Sequence, residues 1–304
     1  MRRPTYAALP DHKGDPPPGW RHYVTALALL AGFVLLFYLS HRFLLRVDPG
    51  VAAALRGGSM AALATLLGSL PVLLSQQFSQ RTFDTLLGFG AGVMLAASFF
   101  SLITPGLEIA EQQGFGTPGS ALVIGAGIFF GGLLLFAIDK LVPHEHFVKG
   151  VEGWHAQHMK RTWLFVWAIV LHNFPEGLAI GVAYSGTDAI GARALATGIS
   201  IQDVPEGLVV AAALRRVGYS RVKSVSLGAA SGLIEPLAAV LGAAVIGLSA
   251  TLLPWGLAFS AGAMLYIISH EIIPESHRAG HETYATGGFM LGFVMMMVLD
   301  TTLG

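Results

Sequence analysis

The chain has 304 residues, of which 54% are hydrophobic and only 12% charged, and its mean hydropathy is +0.64. Soluble domains carry about 25% charged residues, so this composition excludes a soluble globular protein and indicates a polytopic membrane protein. A formal net charge of zero gives no reason to expect a nucleic-acid partner, and the absence of cysteine excludes disulfides, thiolate metal sites and cysteine nucleophiles.

Residues 1–21 are polar and contain Pro16-Pro17-Pro18, which reads as a disordered tail. The first apolar run, within 22–48, is too long for the core of a signal peptide and lacks a small-residue cleavage site, so it is expected to be a membrane helix. Further spans follow at roughly 57–75, 84–106, 119–142, 163–185, 190–214, 224–248, 251–274 and 284–303. Each is near the ~20 residues that cross a bilayer. This gives nine helices, or eight if the short gap at 49–58 lies inside one kinked segment. The organisation expected is a tail, an extra N-terminal transmembrane helix over 22–48, and an eight-helix unit over 57–304 that contains a loop at 143–161.

Cationic residues set the orientation. With the N-terminus cytoplasmic, fourteen of the 18 Lys and Arg fall inside, and only Arg42, Arg46, Arg56 and Arg193 fall outside. The C-terminus is then outside, and the 143–161 loop is cytoplasmic. Internal repeats are also visible. Leu87 to Leu95 resembles Leu257 to Leu265, and Gly131 to Asp139 resembles Gly292 to Asp300. The nine-helix layout runs the members of the first pair in opposite directions, as in the inverted repeats of transporters.

The chemistry concentrates in Leu171-His172-Asn173-Phe174-Pro175-Glu176-Gly177 and, thirty positions later, Gln202-Asp203-Val204-Pro205-Glu206-Gly207. On a helix, positions i, i+1 and i+4 share one side. His172, Asn173 and Glu176 therefore point together, as do Gln202, Asp203 and Glu206. Both sets fall near the middle of their spans, and so does Glu235. A carboxylate at that depth costs roughly 2.5–3.5 kcal/mol. A lone buried Asn or Gln is an ordinary interhelical hydrogen bond, but six polar groups at matched spacing on two helices form a candidate cage for divalent cations. Two cations would neutralise the four carboxylates; protons that leave when metal binds are the alternative. Pro175, Pro205 and Pro236 each leave a backbone carbonyl unpaired beside the cluster. The mixed N/O donor set suits Zn, Fe, Ni or Mn better than Cu(I). Met295, Met296 and Met297 are consecutive, radiate around their helix and read as packing.

These two motifs, the Glu235 helix and the span layout resemble the ZIP family of divalent-metal transporters, most closely its bacterial GufA-type branch. The resemblance covers about residues 57–304 and leaves the first helix as an addition. It implies an all-α bundle of eight core helices arranged three-plus-two-plus-three, with a binuclear site between the fourth and fifth. It also implies that His172, Glu176, Gln202 and Glu206 hold one metal, that Asn173, Asp203 and Glu235 hold the second, and that Glu176 and Glu206 bridge. The substrate implied is Zn2+, with Cd2+, Fe2+ and Mn2+ as related ions. The route is into the cytoplasm across a bacterial inner membrane, by one helix bundle sliding against another. Many members have His where this chain has Gln202. A homodimer in the lipid bilayer is a candidate assembly.

Outside the central cluster, Ser101 and Glu108 are candidates for the outer mouth. Asp139, His270, Glu271, Glu275, His277 and His281 are candidates for an inner exit path. His144 and His146, with His155 and His158, could bind metal in the cytoplasmic loop. A membrane metalloprotease is disfavoured because His270-Glu271 lacks the second histidine of His-Glu-x-x-His. A proton/cation antiporter using the buried carboxylates remains the alternative, although it gives no role to His172 and Asn173.

Overall fold

A computed structural model describes residues 19–44, 46, 48–74, 79–141, 144–146, 150–152, 161–216 and 219–303. Most of the expected tail, and His155 and His158, lie outside these. The described residues form nine helices: α1 (Trp20–Leu44), α2 (Pro49–Leu74), α3 (Gln80–Gln112), α4 (Gly116–Leu141), α5 (Arg161–Tyr184), α6 (Ala189–Arg216), α7 (Arg221–Gly247), α8 (Ala250–Ser276) and α9 (Glu282–Leu303). Between α4 and α5, β1 (His144–His146) pairs antiparallel with β2 (Gly150–Glu152), with His144 opposite Glu152. Six helices, α2, α3, α4, α7, α8 and α9, are long and apolar enough to cross a membrane. The motif helices α5 and α6, at 24 and 28 residues, match them in length but carry polar residues in their middles. The protein is an all-α polytopic membrane protein.

Two elements depart from the expected outline. Helix α2 begins at Pro49, not near 57. The Asp48 carboxylate accepts from the N–H groups of Gly50 at 2.7 Å and Val51 at 3.0 Å, and proline at the first helical position has no N–H to satisfy. The Asp-Pro-Gly that reads as a gap is a helix cap. Helix α7 is interrupted: its first part ends at Ser231 and its second begins at Ile234. Glu235 therefore lies in the first turn of a half-helix, where the backbone dipole favours negative charge. Discontinuous helices of this kind build the sites of many transporters.

Helices α3 and α8 share another irregularity. Each widens into a π segment, Ala97–Ile103 in α3 and Ile268–Ile272 in α8, just before a proline, Pro105 or Pro274. Proline cannot bond the carbonyl four residues earlier, so Ser101 and His270 lose their normal acceptor pairing and the turn loosens. The match extends the repeat seen between Leu87–Leu95 and Leu257–Leu265.

Packing divides the core helices into two groups. In one, α2 packs on α6 and α7, and α5 on α7; in the other, α3 packs on α9 and α4 on α8. Glycines set these approaches, as is common where lipid removes the hydrophobic drive between helices. Gly88 and Gly92 of α3 abut the carbonyls of Ala285 and Phe289, while Gly288 and Gly292 of α9 abut those of Thr85 and Phe89. In the other group Gly177 rests on the carbonyl of Glu235, and Gly207 on that of Thr65. The glycines of the two Pro-Glu-Gly motifs are thus contact points, one to α7 and one to α2.

Candidate metal site between the motif helices

Helices α5 and α6 bring the two motifs face to face. Asn173, Glu176, Gln202, Asp203 and Glu235 are all buried, with Glu176 and Glu235 wholly inaccessible. Gln202 Nε2 donates to Glu176 Oε1 and to Asp203 Oδ1, each at 2.8 Å. Asn173 Nδ2 donates to Glu235 Oε1 at 3.0 Å. The amides therefore hold one oxygen of each of these three carboxylates. The other oxygens, Glu176 Oε2, Asp203 Oδ2 and Glu235 Oε2, are buried with no hydrogen-bond partner, and so is Asn173 Oδ1. Buried acceptors are normally satisfied, so these four orphan oxygens make the cluster a candidate for holding a cation.

Carboxylate oxygens of Glu176, Asp203 and Glu206 lie within 4.8 Å of one another. Ionised, two carboxylates at such a separation repel by roughly 3 kcal/mol at an effective dielectric of ~20. Oxygens around a single Zn2+ at ~2.1 Å bonds sit roughly 3–3.5 Å apart, so a contraction of about 1 Å would close these three on one ion. Two donors are turned elsewhere. His172 Nδ1 lies 3.2 Å from Glu271 Oε2, across the boundary between the two helix groups. Gln202 points its N–H groups at the carboxylates, and a methyl placed on Gly90 would lie 3.1 Å from its Oε1. A half-turn of the amide would offer Oε1 to a cation instead.

A cavity of about 30 Å³ adjoins the cluster, lined by Leu86, Leu87, Gly90, His172, Gln202, Pro205, Glu206, Val209 and Ile272. All of its α3 residues precede Met94. On the other side of the site, Met94, Leu102, Leu195, Ile199, Met264 and Met296 are fully buried. The cavity lies toward the N-terminal end of α3.

The family model for the ZIP zinc transporter matches residues 145–300, which include every residue of the cluster. The chain is 45% identical over 254 residues to the zinc transporter GufA of Myxococcus xanthus, covering 84% of this chain and all of that protein. It is 48% identical over 264 residues to the zinc transporter ZIPB of Bordetella bronchiseptica, covering 84% of this chain and 82% of that protein. It is 32% identical over 338 residues to the zinc transporter ZIP11 of Bos taurus, covering 84% and 98%. This chain belongs to the ZIP family. Within the family it stands in the GufA-like branch.

The remaining candidates of this ZIP protein fall into separate places. Ser101, in the π segment of α3, donates to Asp300 near the end of α9, while Glu108 is exposed on the same helix. In the matching arrangement on α8, His270 Nε2 lies 3.8 Å from the buried Asp139 near the end of α4, and its ring stacks on Tyr266 at 5.1 Å. Asp139 and Asp300 end the repeated segments noted in the sequence, so each π segment faces the terminal aspartate of its partner helix. Glu275 is half-buried near the end of α8. His277 bridges its own turn and the next helix, with Nδ1 3.0 Å from the Ile273 carbonyl and Nε2 3.2 Å from Thr286 Oγ1 of α9. His281 Nδ1 pairs with Asp84 Oδ2 at 2.8 Å, and Gln80 Nε2 donates to Asp84 Oδ1 at the same distance. His144 and His146 stand on β1.

Two residues escape a reading of the motifs. Asp84 is fully buried but opens its expected span, where a carboxylate reads as a solvated end. Its clue is Gln80, one turn earlier. Thr65 lies among Ala and Leu in α2 and donates from Oγ1 to Glu235 Oε1 at 3.2 Å. A hydroxyl in a membrane helix ordinarily satisfies itself on its own backbone, so its residue type gives no signal.

Proposed function

We propose that this protein carries Zn2+ across the membrane into the cytoplasm. The observation that carries the reading is the set of four buried acceptor oxygens without partners on Asn173, Glu176, Asp203 and Glu235, beside a cluster completed by Glu206. The names of its relatives, zinc transporters in a bacterium and a mammal alike, supply the ion. The cation is substrate rather than resident cofactor, and the protein is a carrier, not an enzyme. Hard carboxylates with one imidazole would also accept Cd2+, Fe2+ and Mn2+.

Two positions for the ion follow from the donors. Glu176, Gln202 and Glu206, joined by His172, would hold one; Asn173, Asp203 and Glu235 the other, with Glu176 and Glu206 shared. Drawing His172 onto an ion takes it from Glu271. Glu271, no longer paired with His172, would be the next acceptor on the way out, ahead of His270 and Asp139. Transport would move the group α2, α5, α6 and α7 against α3, α4, α8 and α9, which together run from Pro49 to Leu303. The cavity at Leu86 and Val209 would open to the cytoplasm, and Ser101, Glu108 and Asp300 would flank the outer mouth. This places the N-terminus inside and the C-terminus outside a bacterial inner membrane, with α1 and its tail an addition to the transport unit and 143–161 a cytoplasmic loop.

The test is Zn2+ and Cd2+ uptake into proteoliposomes holding a metal-sensitive dye, comparing wild type with Glu176→Ala and Glu206→Ala at two external pH values. Loss of signal in both variants assigns transport to the cluster. Equal signal in all three proteins sinks the reading. A pH change without metal entry would turn the assignment to a proton/cation antiporter.

A further inference from the structure

We infer that Thr65 is a positioning residue of the metal site, occupying in the first repeat the place that Glu235 occupies in the second. This rests on the transport reading above. The offset that relates Leu87–Leu95 to Leu257–Leu265 carries α2 onto α7 and Thr65 onto Glu235. The two are 170 positions apart and in direct hydrogen-bond contact. Packing repeats the relation. Gly177 of one motif rests on the backbone carbonyl of Glu235, and Gly207 of the other rests on that of Thr65. Residues related by an inverted repeat touch each other only near the pseudo-two-fold axis, so that axis passes between Thr65 and Glu235. His172 with Gln202, Asn173 with Asp203, and Glu176 with Glu206 are the other pairs around it. The constellation has eight positions, and Thr65 is the eighth.

The chemistry of that position is asymmetric. One repeat supplies a carboxylate, the other a hydroxyl aimed at it. Thr65 is almost wholly buried, at 1% exposure, and the break in α7 is seated on it: a methyl on Gly232 would come within 2.9 Å of Thr65 Cβ. Its single hydroxyl proton has two acceptors in reach, Glu235 Oε1 at 3.2 Å and the Ala61 carbonyl at 3.3 Å. A carboxylate is the stronger acceptor. With Asn173 Nδ2 on the same Oε1, the two donors pin one oxygen and leave Oε2 as the lone-pair face of Glu235. Partners of this kind orient a ligand and raise its affinity for metal, typically 10- to 100-fold.

Zn2+ binding to detergent-purified protein, measured by titration with competing chelator, tests this. Thr65→Val should lower affinity for the second ion by about 10- to 100-fold, and Thr65→Ser should restore it. Ser69→Ala is the control for mere packing. The Ser69 hydroxyl sits one turn away in the same seam but donates only to backbone, to the Thr65 carbonyl at 2.9 Å and the Gly207 carbonyl at 3.1 Å. It should lower the melting temperature and leave affinity alone. If Thr65→Val is too unstable to purify, Thr65→Ser and Thr65→Ala carry the same contrast. In a Glu235→Gln background the valine substitution should cost markedly less than in wild type, because the hydroxyl then holds a neutral amide. Wild-type affinity in Thr65→Val, or an equal loss in Ser69→Ala, overturns the inference while the transport reading stands. Failure of wild type to bind Zn2+ overturns both.

Discussion

Two pairs of irregular helices surround the centre of this molecule, and they differ in what they do with their polar groups. Helices α5 and α6 carry an internal proline each and present oxygens without partners at Glu176 and Asp203. Helices α3 and α8 carry π segments and present polar groups that face one another across helix pairs: Ser101 to Asp300, His270 to Asp139. A group already bonded has a smaller net gain from a passing cation than a buried orphan, whose desolvation has not been repaid. On the function proposed above, the first pair would hold the ion and the second would separate as it passes.

Removing one orphan, Glu176, and the carboxylate that completes its cluster, Glu206, tests that contrast most severely. Glu176→Ala and Glu206→Ala should each abolish Zn2+ uptake and bound metal together, read by flux assay and by metal analysis of the purified protein. Gly207→Ala comes next: its methyl would meet the Thr65 carbonyl, and overpacking costs typically ~1–3 kcal/mol. Thermal unfolding should drop and uptake fall with it. Glu271→Gln takes the charge from the carboxylate that pairs with His172. Apparent affinity for Zn2+ should rise several-fold while maximal uptake falls, a split read from rate against concentration. Ser101→Ala should change uptake a few-fold with bound metal unaltered; loss of metal there would erase the distinction between the two pairs. Smallest of all, Met297→Leu should leave uptake within error, because consecutive methionines cannot share a face and only Met296 is fully buried.

Much of this was legible before any coordinates. Hydropathy gives the spans because lipid forces backbone groups to bond within a helix, and the i, i+1, i+4 spacing brings the motif residues to one side whatever the tertiary packing. The interruption of α7 was not legible. Pro236 removes the bond to the Gly232 carbonyl, but that reads as a kink, and nothing in Ser231-Gly232-Leu233 says that two residues leave the helix. The close seat of Gly232 on Ala62 and Thr65 decides it, and that is a tertiary fact. The cap at Asp48-Pro49 was hidden for the opposite reason: the same three residues make a good turn and a good helix start, and only the following helix chooses. His172 shows a further limit. Its type and spacing point to the cluster, yet its nearest carboxylate is Glu271, almost a hundred positions away on α8.

The π segment of α3 has a consequence for chain length. In a regular α-helix each residue turns about 100°, so Ser101, nine positions after Gly92, would stand about half a turn away from the face that Gly92 lays on α9. The wider turns of Ala97–Ile103 rotate less per residue and so shorten that gap, and Ser101 meets Asp300 of the same α9. The contact depends on how many residues separate the two points as much as on which residues they are. A π turn holds one residue more than an α turn, so a single deletion within that segment, even of an exposed phenylalanine such as Phe99, would be absorbed by a return to ordinary helix.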